Sequence, residues 1–297
     1  MRETDLIADL LAKPGPSTET VDAGRRRLRR ESTTWRPGRG LMFGGAGGFA
    51  ALVAGGVAAA VLMTGGGEQV LVEPDNAASA LQAAAERAES APWGAGKYWY
   101  TKFRYTMAQG HDGPIGMGGT SATWTTRDGR RWYKPISPPG KMMKPRGRTS
   151  FSLCDKEVTY QQIQDLPTEP DALRSEVRRM MLNNDDGPVP PDHQDQFLTS
   201  CMIGLISTQP APPKVRAAAF RSLAGLPQAE KLGTRRDSTG REGTALAITN
   251  GKSRDELIID IATSTVLETE NVQIGRDQKM VQTSTIYELG WTDTPPS

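Results

Sequence analysis

The sequence predicts an α+β protein: one transmembrane helix plus an extracytoplasmic curved antiparallel sheet packed on helices. Three features carry that prediction. Between Arg39 and Glu68 no side chain is ionisable. The last part of the chain, from about Ala229 onward, alternates short strand-like runs with turn residues. Between these lie segments whose apolar residues recur at i+4.

The core of the apolar segment, Leu41 to Thr64, is 24 residues of Leu, Val, Ala, Phe, Met and Gly with one terminal Thr. As a helix rising about 1.5 Å per residue it spans roughly 36 Å, more than the roughly 30 Å hydrocarbon layer. Its glycines would weaken a helix in water. In lipid the backbone must satisfy its own hydrogen bonds, and a single segment does so only as a helix. A core helix of this length would carry a polar face, and a cleaved signal peptide has a shorter apolar core and fewer residues before it. The segment is therefore expected to stay as an anchor. Arg25, Arg26, Arg27, Arg29, Arg30, Arg36 and Arg39 precede it, whereas Gly65-Gly66-Gly67-Glu68 follows. The positive-inside rule then places the N-terminus in the cytoplasm and the larger part outside. Gly47, Ala51, Gly55 and Ala59 recur at i+4, and Gly44 and Gly48 add a GxxxG, a face that allows homodimerisation through the helix.

The expected organisation is a basic cytoplasmic tail (1–40), the transmembrane helix (41–64), a stalk (65–75) and a folded domain (76–297). Residues 1–40 hold nine basic and six acidic side chains, so the excess in the overall net charge of +2 sits beside the membrane segment. That placement points to the lipid bilayer as partner and not to direct nucleic-acid binding. Leu6, Ile7, Leu10 and Leu11 fall on one face of a short helix that Pro14-Gly15-Pro16 stops. Such a face either lies on lipid or docks a cytoplasmic partner.

In the folded part, Asn76 is placed to cap a helix from Ala77 to Glu89. Tyr98 to Tyr105 reads as a strand, and Ser121–Thr126 with Arg131–Lys134 as a hairpin about Asp128-Gly129. Residues 135–149, rich in Pro and Gly, read as loop, and Phe151–Tyr160 as a further strand. Three helices follow: one opened by Thr168 or Asp171, one over Asp192–Ser207, and one starting at Pro212-Pro213. Five strands complete the chain: Ala229–Arg235, Glu242–Thr249, Glu256–Ile261, Thr265–Ile274 and Met280–Leu289.

The two cysteines, Cys154 and Cys201, both fall outside the membrane on this topology. One disulfide is the simplest reading in an oxidising compartment, and two buried thiols are the alternative. Neither His111 nor His193 has metal-ligand spacing, and no GxSxG, P-loop, GxGxxG or SxxK motif occurs. The acidic group Asp185, Asp186, Asp192 and Asp195 lacks calcium-loop spacing and reads as a solvated loop. A non-enzyme without cofactor or metal is expected. The distinctive feature is aromatic density between Trp93 and Tyr133. In a strand Trp99, Phe103 and Tyr105 point one way and Tyr98 and Tyr100 the other. Either one set is core, or Trp99, Phe103, Tyr105 and Trp124 line an apolar pocket.

Asp5-Leu6-Ile7-Ala8-Asp9-Leu10-Leu11 with Pro14-Gly15-Pro16, the arginine run, Tyr98-Trp99-Tyr100, and Arg254-Asp255-Glu256-Leu257-Ile258-Ile259-Asp260 with Thr263 and Leu267 resemble one family. It comprises single-pass membrane proteins of actinobacteria associated with extracytoplasmic-function sigma factors. The element order is also similar to the lipoprotein-carrier type of half-barrel. The resemblance implies an anti-sigma-like regulator with a cytoplasmic partner such as a sigma factor. The His-xxx-Cys-xx-Cys zinc motif of many anti-sigma factors is absent, since no Cys precedes residue 154. The functional expectation is a membrane-anchored envelope sensor or regulatory protein without catalytic activity. The alternative is a membrane-tethered lipid- or cell-wall-binding module.

Overall fold

A computed structural model describes residues 75–109, 117–145, 151–182, 187–274 and 279–297, all within one compact unit, Gln69–Ser297. The expected tail, transmembrane helix and most of the stalk, with Leu6, Ile7, Leu10 and Leu11, lie outside the described residues. Among those described, no helix is long and apolar enough to cross a membrane.

Helix α1 (Ala77–Ser90) begins where the sequence places it. The Asn76 side chain accepts from the Ser79 amide at 2.9 Å and Ser79 answers on the Asn76 amide, a reciprocal cap. Its buried face is almost all alanine: Ala77, Ala80, Ala84, Ala85 and Ala88, with Leu81. Small side chains allow a close approach, and α1 lies against α5 (Pro213–Ala224), whose Ala217, Ala218 and Ala219 are fully buried.

The strands form one antiparallel sheet of eight. β1 (Tyr98–Gln109), β2 (Met117–Thr126) and β3 (Arg131–Ser137) come from the first half. β6 (Ala229–Arg236), β7 (Glu242–Asn250), β8 (Ser253–Asp260), β9 (Thr265–Ile274) and β10 (Lys279–Thr292) come from the end. Their spatial order is β3-β2-β1-β10-β9-β8-β7-β6. The first strand therefore pairs with the last, Trp99 opposite Trp291 and Phe103 opposite Ile286, and this pairing joins the two sequence blocks into one layer. The turns follow local chemistry. Gly129 and Gly251 adopt positive φ, 85° and 58°, as hairpin turns at Asp-Gly and Asn-Gly require.

One face of the sheet carries the helices: α1, α3 (Pro170–Leu182), α4 (Gln194–Ser207) and α5. The main core lies between these layers, with Phe220, Leu205, Ile206, Leu223, Leu246 and Ile248 among its fully buried side chains. Among the described residues, all members of this core fall within Gln69–Ser297. A second cluster (Tyr98, Ala122 and Trp124, with Tyr100, Trp132 and Met142) occupies the opposite face at the β1–β3 end.

Three local expectations need correction. Phe151–Tyr160 is not one strand. It is a tight hairpin, β4 (Phe151–Leu153) and β5 (Lys156–Val158), followed by helix α2 (Tyr160–Gln164). Cys154 and Asp155 turn the chain with φ of 56° and 53°, a left-handed pair that matches a two-residue hairpin, and Thr159 with Gln162 forms the reciprocal cap that starts α2. Second, the segment after Lys134 is not wholly loop. β3 runs on to Ser137, where Pro135 is accommodated because β3 is an edge strand, and Met143 returns to exchange both backbone hydrogen bonds with Tyr133. Third, Pro191–His193 forms a 3-10 turn, and α4 proper starts at Gln194.

Candidate functional site

The feature of the described unit best suited to a ligand is a hollow between α4 and the helix-facing side of the sheet. Three ties hold α4 there. The Trp99 indole Nε1 donates to the Thr208 carbonyl at 2.8 Å just past its C-terminal end. Asn250, in the β7–β8 turn, donates to the Thr199 hydroxyl at 3.0 Å. A disulfide joins Cys201 of α4 to Cys154 at the tip of the β4–β5 hairpin, with Cα atoms 5.2 Å apart. The hairpin is thus fastened along the hollow, and Ser152, Leu153 and Cys154 form part of its wall.

The hollow has two arms. The larger, of about 910 Å³, is the more polar of the two: Ser200 and Gln196 of α4, Ser253 and Asp255 of β8, Thr269 and Asn271 of β9, and Gln282 and Ser284 of β10 line it beside apolar Val189, Phe197 and Ile203. The smaller, of about 390 Å³, is lined by Trp99, Phe103, Phe151, Tyr133, Ile286 and Leu289, with threonines of β1 and β2 and Arg131 on one wall. Burial pushes the Arg131 guanidinium below its ordinary pKa, and its Nε donates to Thr125 at 3.4 Å. Ser152, Thr208, Gln209 and Ser284 line both arms, so the two meet there. The division follows from the alternation of each strand, which sends every second side chain to the helix-facing side. On β8 those positions are Ser253, Asp255, Leu257 and Ile259, and all four are buried. The apolar pair joins the core while the polar pair lines the larger arm.

Asp255 is the unusual group. It is 5% exposed and accepts from Asn271 Nδ2 at 2.6 Å on Oδ1, whereas its Oδ2 has no hydrogen-bond partner. The same Asn271 nitrogen donates to Ser253 Oγ at 3.1 Å. Burial pushes the Asp255 carboxyl up to about 6, against a smaller lowering by the Asn271 hydrogen bond.

The residues singled out from the sequence fall as follows. Trp99 is both core and rim. It packs against Trp291 (5.4 Å between ring centroids) and Trp93 (6.0 Å) and borders the apolar arm. Phe103 lines the apolar arm and Tyr105 the polar one. Trp124 does not join them. It is paired with Tyr100 across β1 and β2 and stands on the opposite face, in the second cluster with Tyr98. The pairing phase explains this, since opposite residues share a face and Tyr100 points away from Trp99. Sequence reading missed Asp255 and Asn271 as site residues. A signal existed: Asp255 occupies a core-facing position in the run Ser253-x-Asp255-x-Leu257-x-Ile259.

No protein-family model and no curated protein matches the chain. Among solved structures, the chain is similar to the crystal structure of MucB in complex with MucA(peri), at 14% identity and a TM-score of 0.28, over 74% of this chain and 57% of that one. It is similar to the Pseudomonas aeruginosa MucA/MucB complex at 15% identity and a TM-score of 0.29, over 74% of this chain and 59% of that one. In both cases it spans less than two thirds of the matched chain. It is also similar to a LolA-superfamily protein from Nitrosomonas europaea, at 10% identity and a TM-score of 0.21, over 72% of this chain and 94% of that one.

Proposed function

We propose that this protein is a non-catalytic, membrane-anchored regulator whose extracytoplasmic domain reads an amphipathic ligand. The observation that supports the reading is the hollow itself, whose apolar and polar arms meet at Ser152, Thr208, Gln209 and Ser284. A cavity of this size and division suits a molecule with an alkyl portion and a polar head. On this reading Leu41–Thr64 holds the protein in the cell membrane, and residues 1–40 pass the ligand's state to a cytoplasmic partner such as a sigma factor.

A tethered lipid- or cell-wall-binding module would use the same hollow with an inert anchor, and the tail separates the two. Pull-down with residues 1–40 is expected to recover a cytoplasmic protein; recovery of anionic lipid alone favours the inert anchor. Native mass spectrometry of the full chain purified from membranes is expected to show an added mass of one amphiphile. A spectrum of the bare chain only, under conditions that preserve known lipid complexes, would count against ligand reading altogether.

A further inference from the structure

Two carboxylates border the polar arm, Asp155 and Asp255, beside Lys252 and His193. Glu256 and Glu270, paired across β8 and β9, alternate to the other face of the sheet, where Glu256 pairs with Arg235 and Arg254 at 2.9 and 2.8 Å and Glu270 accepts from Thr283 at 3.3 Å. Asp255 differs in kind: among the described residues no basic side chain reaches it, and its Oδ2 is buried and bare. A buried carboxyl oxygen without a donor is costly once it carries charge. A proton or a donor from a molecule in the cavity relieves it, and a cationic donor does so most strongly. Asp255 lines the polar arm while its Oδ2 is buried, and a charge-assisted hydrogen bond is stronger at a shielded site than at an exposed one.

We infer that the polar arm holds the ammonium of a single-chain amine amphiphile against Asp255, with the alkyl chain running into the arm formed by Phe103, Ile286 and Leu289. This deepens the proposed function and rests on the same hollow. The apolar arm supplies affinity for the chain, and Asp255 supplies the choice of head. Binding is also linked to protons, because burial holds the carboxyl partly protonated near pH 6. An ammonium arriving below that pH displaces the proton to solvent, so the site exchanges one positive charge for another.

The test is calorimetric titration of the Gln69–Ser297 unit with decylammonium, decanol and decanoate, each below its micellar concentration. At pH 7.5 decylammonium is expected to bind roughly tenfold or more tighter than decanol. Asp255→Asn should remove most of the preference for decylammonium over decanol, and urea denaturation of the variant at pH 5 shows that it is folded; a preference that survives in the folded variant overturns the inference. Independently of any variant, decylammonium binding at pH 5.5 should release protons, seen as an enthalpy that depends on the ionisation heat of the buffer. Equal affinities for decylammonium and decanol in the native chain overturn the inference, as does tighter binding of decanoate, which would place the head at Arg131. Failure of all three chains to bind instead removes the hollow as an amphiphile site.

Discussion

Asn271 spends a single amide nitrogen on two acceptors, Asp255 Oδ1 at 2.6 Å and Ser253 Oγ at 3.1 Å, and so leaves Asp255 Oδ2 without a donor. Burial makes Asp255 the most perturbed carboxyl of the described unit, and the Asn271 hydrogen bond offsets that only in part. That burial also gives the unit a defined response to pH.

The sign follows from linkage. Asp255 has an ordinary value of 3.8 and is pushed to about 6 when folded, so between those values the folded chain binds the extra proton. The stabilisation is complete below about pH 4 and is lost as pH rises through about 6. The loss is roughly 3 kcal/mol at most. Urea denaturation should therefore find the unit less stable at pH 8 than at pH 5. Asp255→Asn should regain stability at pH 8 and flatten the difference. If the native unit and the variant show the same dependence, the carboxyl is not carrying it.

A second carboxyl behaves oppositely. The Asp237 side chain is fully buried, and burial alone would raise it. Hydrogen bonds from Thr239 and Arg241 outweigh that and hold it below its ordinary value. Arg241 also reaches the carbonyls of Leu267 and Ile286, so the pair fastens the β6–β7 turn to β9 and β10. Its stabilisation is present above about pH 4 and lost on further acidification, a window separate from that of Asp255. Asp237→Ala leaves a guanidinium and two turn amides without their acceptor. It should cost roughly 3 kcal/mol in chemical denaturation, and a loss below about 1 kcal/mol would mean the turn is held by other contacts.

The disulfide closes a separation of 47 residues between hairpin tip and α4. On the chain-entropy account such a bridge contributes about 4 kcal/mol. Reduction, or Cys154→Ala with Cys201→Ala, should lower the urea midpoint accordingly. It should also weaken amphiphile binding, because the hairpin forms a wall of both arms. Unchanged ligand affinity in a reduced but folded unit would separate the hairpin from the site.

Ser284 lies where the two arms meet. Replacing it by Trp puts an indole across the junction while leaving the buried core residues in place. Ser284→Trp is expected to reduce alkyl-chain binding at least tenfold, with less than about 1.5 kcal/mol change in stability. Equal binding by variant and native unit would locate the ligand elsewhere.

Much of the sheet was legible because its signals are local. The turns at Asp128-Gly129 and Asn250-Gly251 announce themselves in composition, and the strands between them keep a period of two. Sequence reading missed the Cys154–Asp155 turn, since no Gly or Asn accompanies Asp155 and Cys gives no turn signal. Thr159 and Gln162 carry the spacing of a reciprocal cap, a signal that reading Phe151–Tyr160 as one strand leaves unused. The place of Trp124 depended on register across β1 and β2, which a single strand does not reveal. The hollow depended on where α4 settles. That is decided by Trp99 to Thr208, Asn250 to Thr199 and Cys154 to Cys201, contacts 47 to 109 residues apart in sequence. Asp255 was visible only as a charged residue in an apolar phase, a clue whose meaning required knowing what lies opposite.

On this account the helix-facing hollow, and not the aromatic cluster on the other face, receives an alkyl chain. A diazirine-bearing alkyl amine, photolysed on the Gln69–Ser297 unit and mapped residue by residue by tandem mass spectrometry, tests this directly. Label on Phe103, Ile286 and Leu289 is the predicted result. Label confined to Tyr100, Trp124 and Trp132 would contradict it.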